Sequence, residues 1–358
     1  MGLLMGLKNF WDALAGYRQY KALGAQKPNI AFYSEMGTDR IYFEGIIQRL
    51  IQDYDQKILY FASVKTDPFL QQPMDGLIPF YIGEGTFRTM VFMEIDVPLF
   101  VMTLPDLNTF HLKRSHHPVH YAYLFHSLVS THMVYRHKAF DAYDTLFCVG
   151  PHHEQEIRES ERLFNLPQKQ LVHHGYPRID RITADYQKYL QKDLGNARNT
   201  NDKRSPHVLV APSWGPTSIS TLCADTLVQT LLNQGYQVTF RPHPMTLRQD
   251  PQFKDKLLKP FGSNSDFAFD DDIANTRSLF EADIMVCDWS GVALEFSLVT
   301  EKPVIFMDTP PKCNNTEFQR FESIPIEVSL REELGGIVSP DALEQLPHKV
   351  DELLVNDL

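Results

Sequence analysis

The sequence predicts an α/β protein built from two parallel-sheet domains that face a central cleft. Short apolar runs alternate with amphipathic segments through the first half of the chain. A polar segment rich in Asn, Asp and Lys interrupts this alternation at 187–206, and the alternation restarts at Val208. Alternating strands and helices are typical of parallel sheets covered by helices. The predicted parts are an N-terminal helix at 1–27, one domain at 28–190 and another at 205–358.

Composition and charge narrow the class of protein. The 358 residues are 43% hydrophobic and 22% charged, and the formal net charge is −11. An acidic chain without a basic tract is unsuited to nucleic acid as its main partner. Cys148 and Cys287 lie inside apolar strand-like runs, which predicts buried thiols in a reducing compartment. With no apolar run of transmembrane length, the sequence predicts a cytoplasmic protein.

The first 24 residues predict an amphipathic helix. Apolar side chains recur at helical spacing, and basic residues lie elsewhere on the helical wheel. The apolar positions are Leu3, Leu7, Phe10, Leu14 and Tyr17, and the basic ones are Lys8, Arg18 and Lys21. Such a helix either packs against its own domain or lies on a membrane surface. The second alternative predicts peripheral contact with the cytoplasmic face of the membrane.

Apolar runs predict the strands of the first half at 29–34, 57–63, 98–104 and 145–149, with a helix at 40–53. Residues 106–141 contain many aromatic residues and seven histidines: His111, His116, His117, His120, His126, His132 and His137. No two of these histidines form a compact HxxxH zinc pattern with a glutamate between them. The segment is therefore interpreted as a loop-rich region, and no metal site is predicted.

The second half contains the clearest strand–turn–helix unit. Ile284–Cys287 predicts a buried strand, Asp288–Gly291 a tight polar turn, and Val292 the start of a helix. The first amides of such a helix point away from the sheet and can bind an anion. Ser290 can cap the helix or donate to a phosphate oxygen, and Gly291 allows close approach of the backbone.

Further elements complete the second domain. Strands are predicted at 208–211, 237–240 and 302–306, with helices at 220–234 and 341–356. The strand at 237–240 runs into Arg241-Pro-His-Pro244, in which two prolines fix the backbone. An arginine and a histidine at the end of a strand suit a bound pyrophosphate and a leaving phosphate. The alternative is that this turn only ends the strand and Arg241 forms a surface ion pair.

Four short motifs in order resemble one known family. They are Gly175-Tyr-Pro-Arg-Ile-Asp180, Ala211-Pro-Ser-Trp214, Arg241-Pro-His-Pro244 and Asp288-Trp-Ser-Gly291. The set resembles the CDP-glycerol glycerophosphotransferase family of teichoic-acid and capsule polymerases and primases. The resemblance covers about residues 120–310 and implies a GT-B fold with two Rossmann-like domains.

The resemblance also implies site residues. For the donor it implies that His243 contacts the pyrophosphate and assists departure of CMP, with Arg241, Ser213, Trp214, Asp288, Ser290 and Gly291 around it. For the acceptor it implies His126 as general base, with His132 as the rival, and Arg178 and Asp180 near the cleft. Two positions depart from the family pattern: Ser127-Leu128 replaces Gly-Thr after the base, and Gly291 replaces a second serine.

The implied reaction is transfer of glycerol phosphate, or a similar polyol phosphate, from a CDP-activated donor to a hydroxyl of a glycan or lipid-linked acceptor. The implied role is cell-envelope or capsule polymer synthesis, with self-association of the chain as a further expectation. No cofactor is required, although Mg²⁺ with the donor pyrophosphate is compatible with the sequence. The alternatives are a nucleotide-sugar glycosyltransferase, a UDP-sugar 2-epimerase-like enzyme, or a non-catalytic relative.

Overall fold

The computed structural model describes residues 2–195, 204–272 and 275–355, which form two sheets of parallel strands with flanking helices. Internal contacts divide the chain into two compact units. The first contains Met1–Arg178 and Asn314–Ser323, and the second contains Ile179–Cys313 and Ile324–Leu358. The α/β class predicted from the sequence is confirmed.

The first unit contains a seven-stranded sheet in the order β3-β2-β1-β4-β5-β6-β7. Its strands are β1 Ile30–Ser34, β2 Ile58–Ala62, β3 Leu77–Tyr81, β4 Leu99–Met102, β5 His120–Leu124, β6 Thr145–Cys148 and β7 Gln170–His173. The helices of this part of the chain are α1 Gly2–Ala22, α2 Arg40–Gln52, α3 Pro68–Gln71, α4 Thr86–Glu94, α5 Pro151–Phe164 and α6 Pro177–Gly195. All five residues of β2 are buried, as in a parallel sheet covered on both faces.

The second unit contains a six-stranded sheet in the order β10-β9-β8-β11-β12-β13. Its strands are β8 His207–Val210, β9 Gln237–Phe240, β10 Phe267–Phe269, β11 Ile284–Cys287, β12 Val304–Met307 and β13 Gly335–Val338. Its helices are α7 Ile219–Leu222, α8 Ala224–Asn233, α9 Pro244–Gln249, α10 Phe253–Phe261, α11 Arg277–Glu281, α12 Val292–Thr300, α13 Ile326–Ser329 and α14 Leu346–Val355. Every strand pair in both sheets is parallel.

Helix α1 confirms the predicted N-terminal helix and packs against its own unit. Ala13 and Tyr20 are buried, and Tyr20 belongs to the core of the first unit. Gly16 lies so close to β3 that a Cβ at this position would be 2.1 Å from the Tyr81 carbonyl oxygen. Glycine is therefore needed for this packing. Near the start of the helix, Leu7 and Trp11 stay exposed, at 52% and 60%.

The predicted linker at 187–206 is helical in its first part. Helix α6 continues to Gly195, and its side chains Ile182 and Tyr186 enter a core of the second unit. Tyr189 and Leu190 pack against the same core. This apolar face explains why the two units divide after Arg178, inside the first turn of α6. Residues 196–203 of the linker lie outside the described ranges.

Two other segments differ from the sequence interpretation. The histidine-rich segment 106–141 contains β5, whose residues after His120 are all buried. The helix predicted at 220–234 is two helices, α7 and α8, that meet at Cys223. The strands predicted at 29–34, 57–63, 237–240 and 284–287 are confirmed within one residue at each end.

Residues 314–323, here called the return segment, belong to the first unit although they follow β12 in sequence. The Asn314 amide donates to the Met133 carbonyl at 2.9 Å, and the Asn315 side chain donates to the His132 carbonyl at 2.8 Å. The Glu159 carboxylate accepts backbone N–H groups from the other end of the segment, at residues 322 and 323. Both ends of the return segment are therefore fixed by hydrogen bonds to the first unit.

The structure bears on two further expectations, for the cysteines and for membrane spans. Cys148 and Cys287 are buried free thiols in β6 and β11, as predicted. Among the helices of the described ranges, none is long and apolar enough to cross a membrane.

Candidate active site

The candidate site of the second unit lies where three neighbouring strands end. Strands β9, β8 and β11 are adjacent in the sheet and parallel. Their carboxyl ends lead into the turns at 241–244, 211–218 and 288–291, which contain three of the four motifs singled out in the sequence. Ligands of open parallel sheets bind at this edge. The fold therefore brings these three motifs together within one unit.

Asp288 holds this edge together through backbone hydrogen bonds. Its side chain is buried, and one carboxylate oxygen accepts the amides of Ser213 and Trp289, both at 2.6 Å. The other oxygen accepts the Ile219 amide at 2.9 Å. The expectation that Asp288 binds donor phosphates is corrected, because its carboxylate is occupied by N–H donors of its own unit. Asp288 instead fixes the turn after β8 against the turn after β11.

The residue after Asp288 extends this support. The Trp289 indole N–H donates to the Thr309 carbonyl at 2.9 Å, and the Arg331 guanidinium lies 3.7 Å from the centroid of the Trp289 ring. Such stacking of a cation on a buried ring is stabilising. Thr309 follows β12, so the turn at 288–291 is connected to the next strand of the sheet.

Ser290 and Gly291 form the entry to α12. Ser290 is partly exposed, and its hydroxyl has no hydrogen-bond partner among the described residues. Its carbonyl accepts the Ala293 amide at 3.2 Å. Gly291 has φ −61°, a helical value that any residue adopts, so backbone strain does not require glycine here. The hydroxyl and the first amides of α12 are suited to bind phosphate oxygens.

His243 begins the short helix α9 as its N-cap. The Met245 amide donates to its Nδ1 at 3.1 Å. Burial lowers the pKa of His243 to about 4, with a smaller contribution from the charge of Lys312. The ring is therefore neutral at neutral pH, and its proton is on Nε2 because Nδ1 accepts a hydrogen bond. In this state His243 can donate a hydrogen bond to a phosphate oxygen.

Arg241 differs from its predicted role. Its guanidinium forms an ion pair with Asp270 and also donates to the Ser278 hydroxyl at 3.0 Å. Both partners of the ion pair are largely buried. The ion pair is therefore not the surface pair of the alternative interpretation, and it ties β9 to the segment after β10. Contact of Arg241 with donor phosphate stays a prediction.

Trp214, in the turn after β8, is contacted by Lys312 and by His243. The Lys312 ammonium lies 4.1 Å from the centroid of the Trp214 ring, and the His243 ring is 6.1 Å from that ring between centroids. Ser213 is buried next to Trp214, and its backbone N–H donates a hydrogen bond to the Asp288 carboxylate, which fixes its position. Lys312 was not predicted from the sequence. It belongs to none of the four motifs, and only the Pro-Pro-Lys run after a predicted strand could have drawn attention to it.

His126 is part of the first unit, just beyond the carboxyl end of β5. The rings of Tyr42, Tyr123 and Tyr135 surround it at centroid distances of 6.2 to 6.4 Å. Its Nδ1 lies 3.3 Å from the Tyr123 hydroxyl. Burial lowers the pKa of His126, while the Asp39 carboxylate and the Thr103 carbonyl raise it. A neutral imidazole at the end of a parallel strand is suited to accept a proton.

His132 is corrected as an alternative base. Its side chain is 1% exposed, with Nδ1 3.3 Å from Glu156 and Nε2 2.9 Å from the Ser323 carbonyl oxygen. The rings of Phe318 and Phe321 pack against it. His132 is therefore an interior residue that binds the return segment, and it is not open to an acceptor.

The remaining predicted acceptor residues, Arg178 and Asp180, lie in the first turn of α6, where Asp180 is exposed and Arg178 is partly buried. An acidic residue in the first turn also stabilises the helix. Their contact with an acceptor stays a prediction. Within the described ranges, no group of three or more His, Cys, Asp or Glu side chains is arranged to hold a metal ion.

Comparison with known families gives the decisive observation. A family model described as CDP-glycerol:poly(glycerophosphate) glycerophosphotransferase matches residues 125–310, more than half of the chain. The chain belongs to this glycerophosphotransferase family. The resemblance inferred from the four motifs is thereby confirmed, and the protein is a transferase.

Solved structures with a similar fold include a wall teichoic acid polymerase and a UDP-GlcNAc 2-epimerase. The wall teichoic acid polymerase TagF matches with a TM-score of 0.54 and 12% identity, covering 98% of this chain and 90% of that chain. TagF soaked with CDPG matches with a TM-score of 0.52 and 14% identity, covering 99% and 88%. UDP-GlcNAc 2-epimerase from Methanocaldococcus jannaschii, with UDP-GlcNAc and UDP, matches with a TM-score of 0.58 and 13% identity, covering 91% and 92%. At these identities the likeness shows the fold alone. A comparison with curated proteins finds no significant match.

Proposed function

We propose that this protein transfers glycerol phosphate from CDP-glycerol, or a similar polyol phosphate from a related CDP-alcohol, to a hydroxyl of a glycan or lipid-linked acceptor. The observation that carries the proposal is that His243 and Ser290 both lie in turns at the carboxyl edge of the sheet in the second unit. A neutral N–H donor and a hydroxyl at a helix start are groups that bind the oxygens of a pyrophosphate. The reaction type is that of EC class 2.7.8.

The proposed reaction is one displacement at phosphorus. The acceptor oxygen forms a bond to the β-phosphorus, and the bond from that phosphorus to the bridging oxygen breaks, so that CMP leaves with the electron pair. His126 takes the proton of the acceptor hydroxyl as general base. His243 and the amides at the start of α12 stabilise the negative charge that develops on the phosphate oxygens.

The biological role is proposed on the same basis. Polymer synthesis for the cell envelope or a capsule fits a family whose description refers to poly(glycerophosphate), and TagF is a wall teichoic acid polymerase. A cytoplasmic protein at the inner membrane surface would meet both a soluble nucleotide donor and a lipid-linked acceptor. Self-association stays a prediction, as does Mg²⁺ bound with the donor pyrophosphate.

The test is release of CMP from CDP-glycerol by the purified protein, supplied with a membrane fraction as acceptor. We expect CMP release by the wild type and a loss of about 10²- to 10⁴-fold in His126→Ala, because proton transfer by a positioned base contributes that much. His137→Ala, at another histidine of the same segment, is the control. Release of UDP from UDP-GlcNAc instead of CMP from any CDP-alcohol would contradict the proposal. Repeating the assay with EDTA shows whether Mg²⁺ takes part.

The N-terminal helix carries a separate prediction about the membrane. Leu7 and Trp11 are exposed near Lys8 at one end of α1, while Ala13 and Tyr20 anchor the other part in the core. Deletion of the whole helix would damage the fold, so point substitutions are the better test. We expect Leu7→Gln combined with Trp11→Gln to lower binding to phosphatidylglycerol vesicles by about 10-fold or more, since two apolar side chains no longer enter the lipid.

The control for vesicle binding is Leu298→Gln, which changes an exposed leucine of the second unit. It should bind vesicles as the wild type does. Equal co-sedimentation of the wild type and the double variant would show that α1 serves its own unit only.

A further inference from the structure

The segment that carries Lys312 is stiff and fixed at its start. After β12, the Asp308 amide donates to the Val338 carbonyl at 2.8 Å, and the Thr309 carbonyl accepts the Trp289 indole N–H at 2.9 Å. Pro310 and Pro311 come next, and each proline fixes its φ angle. The position of the Lys312 backbone is therefore set by the sheet and by the turn at 288–291.

The Lys312 ammonium lies against the Trp214 ring without a carboxylate to neutralise it. Within the part of the chain that the structure describes, Lys312 forms no ion pair and no hydrogen bond, and it is partly buried. Burial lowers the pKa of Lys312 to about 8, although the charge of Asp288 raises it. A buried cation is unfavourable unless an anion compensates it. The environment of Lys312 thus suits a negatively charged ligand.

Other basic side chains of this edge are already occupied. Arg241 is paired with Asp270, and Arg331 stacks on Trp289 while its Nε donates to the Glu327 carbonyl at 3.1 Å. Both guanidinium groups therefore stabilise the residues around the site. Lys312 is next to His243, whose Nε2–H is directed by the helix cap at Nδ1. A cation and a neutral N–H donor side by side match two oxygens of a phosphate.

We propose that Lys312 binds the pyrophosphate of the nucleotide diphosphate donor, with Trp214 holding its ammonium beside His243. This inference rests on the proposed function and names a residue for its donor site. The bound phosphate supplies the negative charge that Lys312 lacks, and the ammonium offsets charge on the phosphate when CMP leaves. The cation–π contact with Trp214 restricts the flexible lysine before the donor binds.

The test is calorimetric titration of CDP, UDP and inorganic pyrophosphate into the wild type, Lys312→Met and Lys312→Arg. We expect at least a 10-fold weaker affinity for CDP in Lys312→Met and near wild-type affinity in Lys312→Arg. Lys254→Met, which removes an exposed lysine paired with Asp271, is the control. Thermal unfolding of each variant shows that it is folded.

The pH dependence of the same titration gives a second readout. Lys312 must be protonated to bind phosphate, so wild-type affinity for CDP should fall as the pH rises above about 8, whereas Lys312→Arg should show no such fall. The ionisable groups around Lys312 are Asp288 from the turn after β11 and His243 from the turn after β9. His243 does not titrate in this range, since its pKa is about 4.

The outcomes separate this inference from the proposed function. Equal CDP affinity of the wild type and Lys312→Met overturns the role of Lys312 and leaves the transferase proposal intact. Binding of UDP in place of CDP, weakened in Lys312→Met, supports Lys312 and overturns the CDP-alcohol donor. A wild-type protein that binds none of the three ligands overturns both.

Discussion

Replacing His243 by alanine is expected to lower CMP release from CDP-glycerol by about 10²- to 10³-fold, the usual effect of removing a hydrogen-bond donor to a developing negative charge. The reason is the fixed tautomer, because the Met245 amide occupies Nδ1 and leaves the proton on Nε2. Burial keeps the pKa of His243 at about 4, so the neutral donor form is lost only as the pH falls through that value. Activity should therefore show no transition near pH 6.5 that is due to His243.

The matched variant is His243→Asn. Asparagine is a good N-cap residue, and its side-chain oxygen can accept the Met245 amide, but it has no donor at the position of Nε2. We expect His243→Asn to melt at the wild-type temperature and to release CMP as slowly as His243→Ala. A His243→Asn protein with wild-type activity would show that the histidine serves only as a helix cap.

Replacing Asp288 by alanine is expected to destabilise the second unit by about 3–9 kcal/mol. Three buried backbone N–H groups, of Ser213, Ile219 and Trp289, would lose a charged acceptor, and each unsatisfied group costs about 1–3 kcal/mol. For a unit of this size, the melting temperature of its transition should fall by on the order of 10 °C. Differential scanning calorimetry measures both quantities, and CDP affinity should fall with them.

Asp271→Ala is the control for Asp288, because Asp271 is exposed and pairs only at the surface with Lys254. Its effect on the melting temperature should be small. If Asp288→Ala instead kept the wild-type melting temperature and lost only CDP binding, Asp288 would be a direct ligand of the donor, as the family resemblance implies.

The strands that the sequence predicted well are those buried in the centre of each sheet. Strand β11 is an apolar run followed by Asp288, and β9 alternates polar and apolar residues before Arg241. Both ends of each strand were predicted at the observed residues. Strand β5 lies inside its sheet and was missed because it belongs to the histidine-rich segment interpreted as loop-rich. Two other missed strands carry misleading residues. Strand β3 is an edge strand that contains Pro79, and β13 is an edge strand that begins with two glycines. Edge position permits both residue types, so local composition does not predict such strands.

The location of the site was predicted, but the roles of its residues were predicted only in part. The motifs marked the carboxyl ends of β8, β9 and β11 because turns there combine proline, glycine and polar residues. Whether Asp288 faces a ligand or its own backbone depends on the loop after β8, which is distant in sequence. Lys312 was missed for the same reason. It follows β12 and Trp214 follows β8, so only the folding of the sheet brings them together.

Because of the return segment, the first unit is completed late in biosynthesis and cannot be cut out of the chain as one continuous stretch. The first unit needs residues 314–323, which are made after most of the second unit has left the ribosome. A fragment that ends at residue 178 lacks the backbone groups of residues 322 and 323 that form hydrogen bonds with His132 and Glu159. A fragment that starts at residue 179 carries Phe318 and Phe321 without the histidine ring they cover. Splitting or swapping domains in this protein therefore requires transplanting the return segment along with the first 178 residues.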